Sequence, residues 1–200
     1  KAATKSKSKA KQEPSGKKAA KKSADKVDLA SSAGAGSDGS VDHEDVTDEW
    51  YFSWNDLKPI MDPVLKGKRE SGAVLDIGCG VSTLFADLAA DGFKGEMTGI
   101  DYAPTVVKQL NALYPRAKFP QFRFLELDAM KMTPFADASF DLIFDKATSD
   151  GLLCSAATAV ETPKMYAEAA RVLRPGGGFV ICSVRAATTR PVAGCLCVVD

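Results

Sequence analysis

Residues 73 to 80 read A-V-L-D-I-G-C-G. Val74, Leu75 and Ile77 make a short apolar run with Asp76 inside it, and Gly78 and Gly80 follow at once on either side of Cys79. The pattern predicts a buried strand that runs into a tight turn. Gly78 can take the positive φ such a turn needs, and Gly80 removes the side chain that would block a close approach of the backbone to a ligand.

Three further stretches stand at matching distances. M-T-G-I-D-Y, residues 97 to 102, predicts a strand ending at Asp101, 23 residues after Gly78. A carboxylate at the tip of the second strand of a β-α-β unit can accept from both hydroxyls of a ribose. F-R-F-L-E-L-D-A, residues 122 to 129, alternates and ends in Asp128 and Ala129, where an adenine edge could be met. S-F-D-L-I-F-D-K-A-T, residues 139 to 148, is a buried strand ending in Asp145 and Lys146. A helix from about Glu161 to Leu173 then leads to Pro175-Gly176-Gly177 and a fifth strand from Gly178 to Val184.

A nicotinamide dinucleotide fits these residues poorly. Its fingerprint wants a third glycine where Thr83 stands, and Asp76 on the approach would repel a pyrophosphate. S-adenosylmethionine carries a sulfonium and an ammonium, which an acidic approach suits.

Between these strands the sequence predicts helices from Asn55 to Leu65, from Ser82 to Ala90 and from Pro104 to Tyr114. Asn55 is the expected cap of the first. Leu84, Phe85 and Leu88 give the second its apolar face, and Val106, Val107, Leu110 and Leu113 give the third its stripe. Strands alternating with such helices mean right-handed crossovers and a parallel sheet, so the class is α/β.

Charge is segregated along the chain. Residues 1 to 26 carry ten lysines against Glu13 and Asp25, a net of +8, and the whole chain sums to zero. Seven acidic residues and no Lys or Arg fall between Asp28 and Glu49. Residues 1–47, rich in Lys, Ala, Ser and Gly, have too few large apolar side chains to offset their ordering entropy, and are expected to be a disordered tail. Its lysines read as a solvated tail, or as a nuclear-localisation or nucleic-acid arm at Lys17-Lys18 and Lys21-Lys22. No run is apolar enough for a membrane span. The five cysteines form no C-x-x-C pair and His43 is the single histidine, which argues against a metal site. Unpaired thiols fit a reducing compartment, the cytoplasm, with the nucleus as the alternative address.

Taken together, V-L-D-I-G-C-G, G-I-D-Y, L-E-L-D-A, F-D-L-I-F-D-K and V-L-R-P-G-G resemble the motifs of class I, seven-strand S-adenosylmethionine-dependent methyltransferases and the methyltransferase type 11 grouping. The resemblance implies a Rossmann-like doubly wound, mostly parallel sheet in the order 3-2-1-4-5-7-6, with a cofactor-binding domain over residues 48–184. It also implies roles. Gly78, Cys79 and Gly80 would line the methionine part of the cofactor, which Asp76 would help to hold. Asp101 would take the ribose hydroxyls, with Tyr102 flanking the adenine. Asp128 would accept from the adenine amino group, and the Ala129 N–H would meet the ring. Helix capping is the competing role for Asp101 and Asp128.

The segment D-K-A-T-S-D, Asp145 to Asp150, is similar to the D/E-K-G-T-x-D segment of lysine methyltransferases that act on translation elongation factor 1-alpha. Phe52 to Asn55, F-S-W-N, resembles the aromatic F-x-W-Y element of the same methyltransferase-like, endothelin-converting-enzyme-associated branch. Asp145 and Lys146 are the candidate catalytic residues, Asp145 also standing near the methionine amino group. Trp54 either closes over the cofactor or packs in the core. Ala147 stands where that branch has Gly. The expected activity is protein-lysine N-methylation by in-line transfer. The alternatives are a small-molecule methyltransferase, an RNA methyltransferase that uses the Lys-rich tail, and a non-catalytic remnant. The last arises because residues 185–200 hold too little sequence for the strands that should follow the fifth, so the fold is expected to look truncated.

Overall fold

The computed structural model describes residues 52–183. The expected tail, residues 1–47, the boundary at 48–184 and the segment 185–200 extend outside the described residues. Five strands, β1 (Ala73–Ile77), β2 (Glu96–Asp101), β3 (Phe122–Glu126), β4 (Phe140–Lys146) and β5 (Leu173–Cys182), form one sheet in the order β3-β2-β1-β4-β5. Every pairing is parallel. The class and the strand order expected for these five strands therefore hold.

Alternation along the strands sorts two cores. Val74, Met97, Phe144 and Val180 face one side, against α1 (Trp54–Leu65), α2 (Leu84–Ala90) and α3 (Pro104–Leu113). Leu75, Ile77, Ile100 and Ile143 face the other, against α6 (Thr162–Val172), whose Met165, Ala169 and Val172 recur on one helical stripe. Two short helices, α4 (Thr148–Leu152) and α5 (Ala156–Ala159), precede α6 and were not legible in the sequence.

Several boundaries move, each for a local reason. The cap of α1 is Ser53, not Asn55: the Ser53 and Asp56 side chains satisfy each other's backbone N–H groups in a capping box. The second helix begins at Leu84 rather than Ser82, because the Ser82 hydroxyl accepts the Leu84 N–H and holds the chain out of the helix. Pro175-Gly176-Gly177 is not the junction between helix and strand. The helix ends at Val172 and β5 starts at Leu173. The register then jumps from Phe140↔Leu173 to Leu142↔Gly178, so the Pro-Gly-Gly stretch bulges out of the ladder. Gly176 has φ +72°, a left-handed conformation that suits such a bulge.

The fold positions the site through one topological fact. β2 and β3 lie on one side of β1, and β4 and β5 on the other. The chain therefore reverses its winding between β1 and β4, and a crevice opens beyond their carboxyl ends. Beneath it, Gly99 of β2 lies against Cys79 of the glycine turn. A Cβ at Gly99 would stand 2.9 Å from both Cys79 Sγ and Phe124 Cδ1. Gly99→Ala is accordingly expected to destabilise the domain by about 1–3 kcal/mol through overpacking. An unchanged urea midpoint would show that the turn can retreat freely.

Candidate functional site

Gly78 has φ +64°, as the turn was expected to need, and Gly80 is left-handed as well, at φ +53°. The two do different things. A Cβ at Gly78 would stand 2.2 Å from Thr148 Oγ1, whereas nothing lies within 4 Å of one at Gly80. Gly78 serves the packing of β1 against the segment after β4, and Gly80 faces open space. Thr148 donates its hydroxyl to the Ile77 carbonyl at 2.7 Å, and so ties the two sides of the crevice together. Thr148 had not been singled out in the sequence, although it belongs to the D-K-A-T-S-D segment.

Asp101 ends β2 and is buried. One carboxylate oxygen accepts the Gly80 N–H at 3.0 Å and the other accepts the Ala103 N–H at 2.9 Å. The same carboxylate thus closes a local turn ahead of α3 and fixes the glycine turn. Each oxygen has a second lone pair left for a ligand. Tyr102, next in the chain, is 83% exposed and stands clear of the core. Asp128 is exposed, and its carboxylate accepts the Met130 N–H at 2.9 Å in a local turn. The Leu127 N–H bonds the Asp101 carbonyl at 2.9 Å and holds this turn, which includes Ala129, beside the end of β2.

Asp76 and Asp145 flank the crevice from neighbouring strands but on opposite faces. Asp76 alternates with Val74, on the side of α1 to α3; Asp145 alternates with Ile143, on the side of α6. Asp145 is 0% exposed. Its Oδ1 accepts the Ser149 N–H at 3.0 Å, while Oδ2 is buried with no hydrogen-bond partner among the described residues. Burial pushes its carboxyl above the ordinary value, against hydrogen bonds from Ser149 and Thr148 that pull it down, and the charge of Asp150 adds to the rise. Lys146, also buried, pairs with Cys182 across β4 and β5. Burial pushes the Cys182 thiol up to about 12, with Asp76 raising it and Lys146 lowering it, which brings these charges around one sulfur. Cys79 is likewise raised well above its ordinary value by burial, with Asp76 and Asp101 adding to the rise. Both thiols stay protonated, and neither is a nucleophile. Among the described residues no group of acidic, Cys and His side chains could hold a metal.

Trp54 is packed among the apolar residues on the Asp76 face. Its indole Nε1 is buried without a partner among the described residues. Near the other end of α1, Val64 lies against Gly178 of β5. Ala147, directly after β4, has φ +72°. A residue with a Cβ pays roughly 1–2 kcal/mol for that conformation, which accounts for a glycine at this place in the resembled segment.

The residues present suit an S-adenosyl ligand: open space over Gly80, a buried carboxylate at Asp101, and buried polar atoms of Trp54 and Asp145 that have no partner among the described residues. A family model described as methyltransferase domain matches residues 68–197. The chain belongs to that methyltransferase family. Its cofactor is S-adenosylmethionine. The human eEF1A lysine and N-terminal methyltransferase is 33% identical over 138 residues, covering 68% of this chain and 19% of its own length. The zebrafish (Danio rerio) mitochondrial citrate synthase-lysine N-methyltransferase is 31% identical over 144 residues, covering 66% of this chain and 57% of its own. The chain thus spans about a fifth of the first of these relatives and little more than half of the second. Among solved structures, the YcgJ protein of Bacillus subtilis superposes with a TM-score of 0.51 at 26% identity, covering 64% of this chain and 50% of that one. The PH0226 protein of Pyrococcus horikoshii does so with 0.50 at 26%, covering 64% and 55%.

The burial of Asp145 has a signed consequence. Its carboxyl in the fold sits above 3.8, the value of an unperturbed aspartate, so the folded domain holds this proton more tightly than the unfolded chain. Its contribution to stability is full below the unfolded value and is lost as pH rises through the folded one. Wild type is expected to lose stability relative to Asp145→Asn as pH climbs through that interval, read by urea midpoints at a series of pH values. A relative gain over the same interval would mean that hydrogen bonding outweighs desolvation.

Proposed function

We propose that this methyltransferase domain methylates the side-chain amine of lysine in a protein substrate, with translation elongation factor 1-alpha as the first candidate. The observation that carries this is the D-K-A-T-S-D segment at the crevice. Asp145, next to last in β4, has a buried oxygen with no partner among the described residues, and Thr148 fastens the segment to the glycine turn. The lysine methyltransferases among its relatives support the substrate class.

When bound, S-adenosylmethionine supplies a methyl group on a sulfonium, whose departure leaves a neutral thioether. The residues of this chain then need chiefly to orient the two reactants and exclude water. Gly80, with Gly78 and Cys79, admits the methionine part. Asp76 and Asp145 present negative charge to its ammonium and sulfonium. Trp54 covers it, donating its buried indole N–H to the carboxylate, and the Lys146 ammonium faces the same carboxylate. Asp101 accepts from the ribose hydroxyls with the lone pairs that Gly80 and Ala103 leave. Tyr102 flanks the adenine, whose edge meets Asp128 and the Ala129 N–H. The acceptor lysine must be neutral to have a lone pair, and a crevice lined by buried carboxylates gathers its ammonium before the proton leaves to solvent.

Titration calorimetry of the purified chain tests cofactor binding. Gly80→Ala is expected to fold with a cost of about 1–2 kcal/mol for its left-handed backbone. Gly80→Arg should fold similarly yet bind no S-adenosylmethionine, because its cation occupies the ligand's place and repels the sulfonium. Undiminished binding by Gly80→Arg would remove the ligand from this turn.

Asp101→Ala is expected to lose about 1.5–3 kcal/mol of cofactor affinity, the range for hydrogen bonds to a charged partner. Because the same carboxylate holds Gly80 and Ala103, its melting temperature should fall as well. A stability loss with unchanged affinity would leave Asp101 a brace of the turn alone.

Incubation with labelled S-adenosylmethionine and cell extract, followed by recombinant elongation factor, decides the substrate. Label is expected in a lysine of the protein fraction. Label confined to small metabolites or to RNA would overturn the lysine assignment.

A further inference from the structure

Residues 127–139 connect β3 to β4 with neither helix nor strand. A segment with so little backbone pairing of its own should be loose, yet it begins with Asp128 and Ala129. Two side chains of α6 hold it. Arg171 donates from Nη2 to the Met132 carbonyl at 3.0 Å and from Nη1 to the Phe135 carbonyl at 2.9 Å. The same guanidinium bonds Asp137 at 2.8 Å, and grips both Glu168 oxygens at 2.8 Å. Glu168 in turn accepts the Met132 N–H at 2.7 Å. Met132 and Phe135 are buried against the α6 face. The Ala138 and Ser139 N–H groups close the far end on the Arg171 and Val172 carbonyls.

The clamp is electrostatically tight. Hydrogen bonds from Arg171 hold the Glu168 carboxyl below its ordinary value although burial opposes them. A bidentate arginine–carboxylate pair fixes direction as well as distance. Its bonds to the segment reach the Met132 and Phe135 backbone and the Asp137 side chain, four to nine residues past Asp128. The near end is already tied to β2 by Leu127, and the Asp128 carbonyl accepts the Lys131 N–H at 2.9 Å. The turn at Asp128 is thus set from behind, by a helix on the opposite face from α2 and α3.

We propose that Arg171 and Glu168 are positioning residues for nucleobase recognition: they hold the 127–139 segment so that Asp128 and Ala129 meet the adenine edge. This rests on the placement of Asp128 and Ala129 at the adenine. A structural brace alone would lower stability and weaken all ligands alike. A positioning pair must change which base is preferred.

The test compares S-adenosylhomocysteine with S-inosylhomocysteine, in which a carbonyl replaces the amino group, by titration calorimetry on the full chain. Wild type is expected to prefer the adenine ligand by about tenfold or more, the worth of a charge-assisted hydrogen bond. Asp128→Ala should abolish the preference. Arg171→Ala should abolish most of it while still binding both ligands, and Arg171→Lys, which cannot bridge Glu168 and two carbonyls in one plane, should lose part. Should Arg171→Ala not fold, Glu168→Gln carries the test, since it weakens the grip while keeping the volume. A folded clamp variant with the wild-type preference would overturn the proposal. If Asp128→Ala keeps the preference, the proposal falls with the adenine placement itself. Failure of wild type to bind either ligand would instead strike the cofactor site.

Discussion

The close contact of Thr148 with Gly78 is the constraint around which the site is built. Parallel strands pair only backbone to backbone, and β1 and β4 could diverge beyond their last ladder bonds. The Thr148 hydroxyl prevents this by bonding the Ile77 carbonyl at 2.7 Å, in space that any Cβ at Gly78 would fill. The crevice at the switch in winding therefore has a fixed width at its floor. Gly80, two residues on, is left with open space above it. One glycine makes the wall and the other makes the room.

Negative charge is the second organising feature. Asp76, Asp101, Asp145 and Asp150 are all buried around the carboxyl ends of β1, β2 and β4. Removing carboxylates from water is expensive unless each finds donors or a cation. Asp101 finds two backbone N–H groups, whereas Asp145 Oδ2 has no hydrogen-bond partner among the described residues. Burial is the main cause that raises the Asp145 carboxyl and the Cys79 and Cys182 thiols, and neighbouring carboxylates add to each rise. The cationic chemistry of S-adenosylmethionine suits such a lining where a pyrophosphate would not.

The two faces of the sheet divide the labour. Helices α1 to α3 cover the face that carries Asp76, Lys146 and Trp54. On the other face α6 braces the 127–139 segment through Arg171 and Glu168. In this way residues far apart in the chain, such as Met132 and Arg171, share one backbone-to-side-chain network. Asp101 shows the same economy at short range. Its one carboxylate holds both the Gly80 and the Ala103 N–H, with lone pairs to spare.

The sequence by itself determined the α/β class, the five strands, their parallel pairing and the positive φ at Gly78, while the strand order came with the family resemblance. The class, the pairing and that φ depend on local periodicity and on the freedom of Gly78, which a chain carries wherever it goes. It also located Asp101 and Asp145 towards strand ends and Asp76 inside the first strand, just before the glycine turn. Only the tertiary structure decided which face each carboxylate takes, that Thr148 fills the space over Gly78, that Ser53 caps the first helix through Asp56, and that Arg171 grips a segment more than thirty residues upstream. Those outcomes depend on how strands twist and which helix lies over which edge. Such long-range contacts leave no periodic trace in a single sequence, since Arg171 or Thr148 would read the same on any solvated helix.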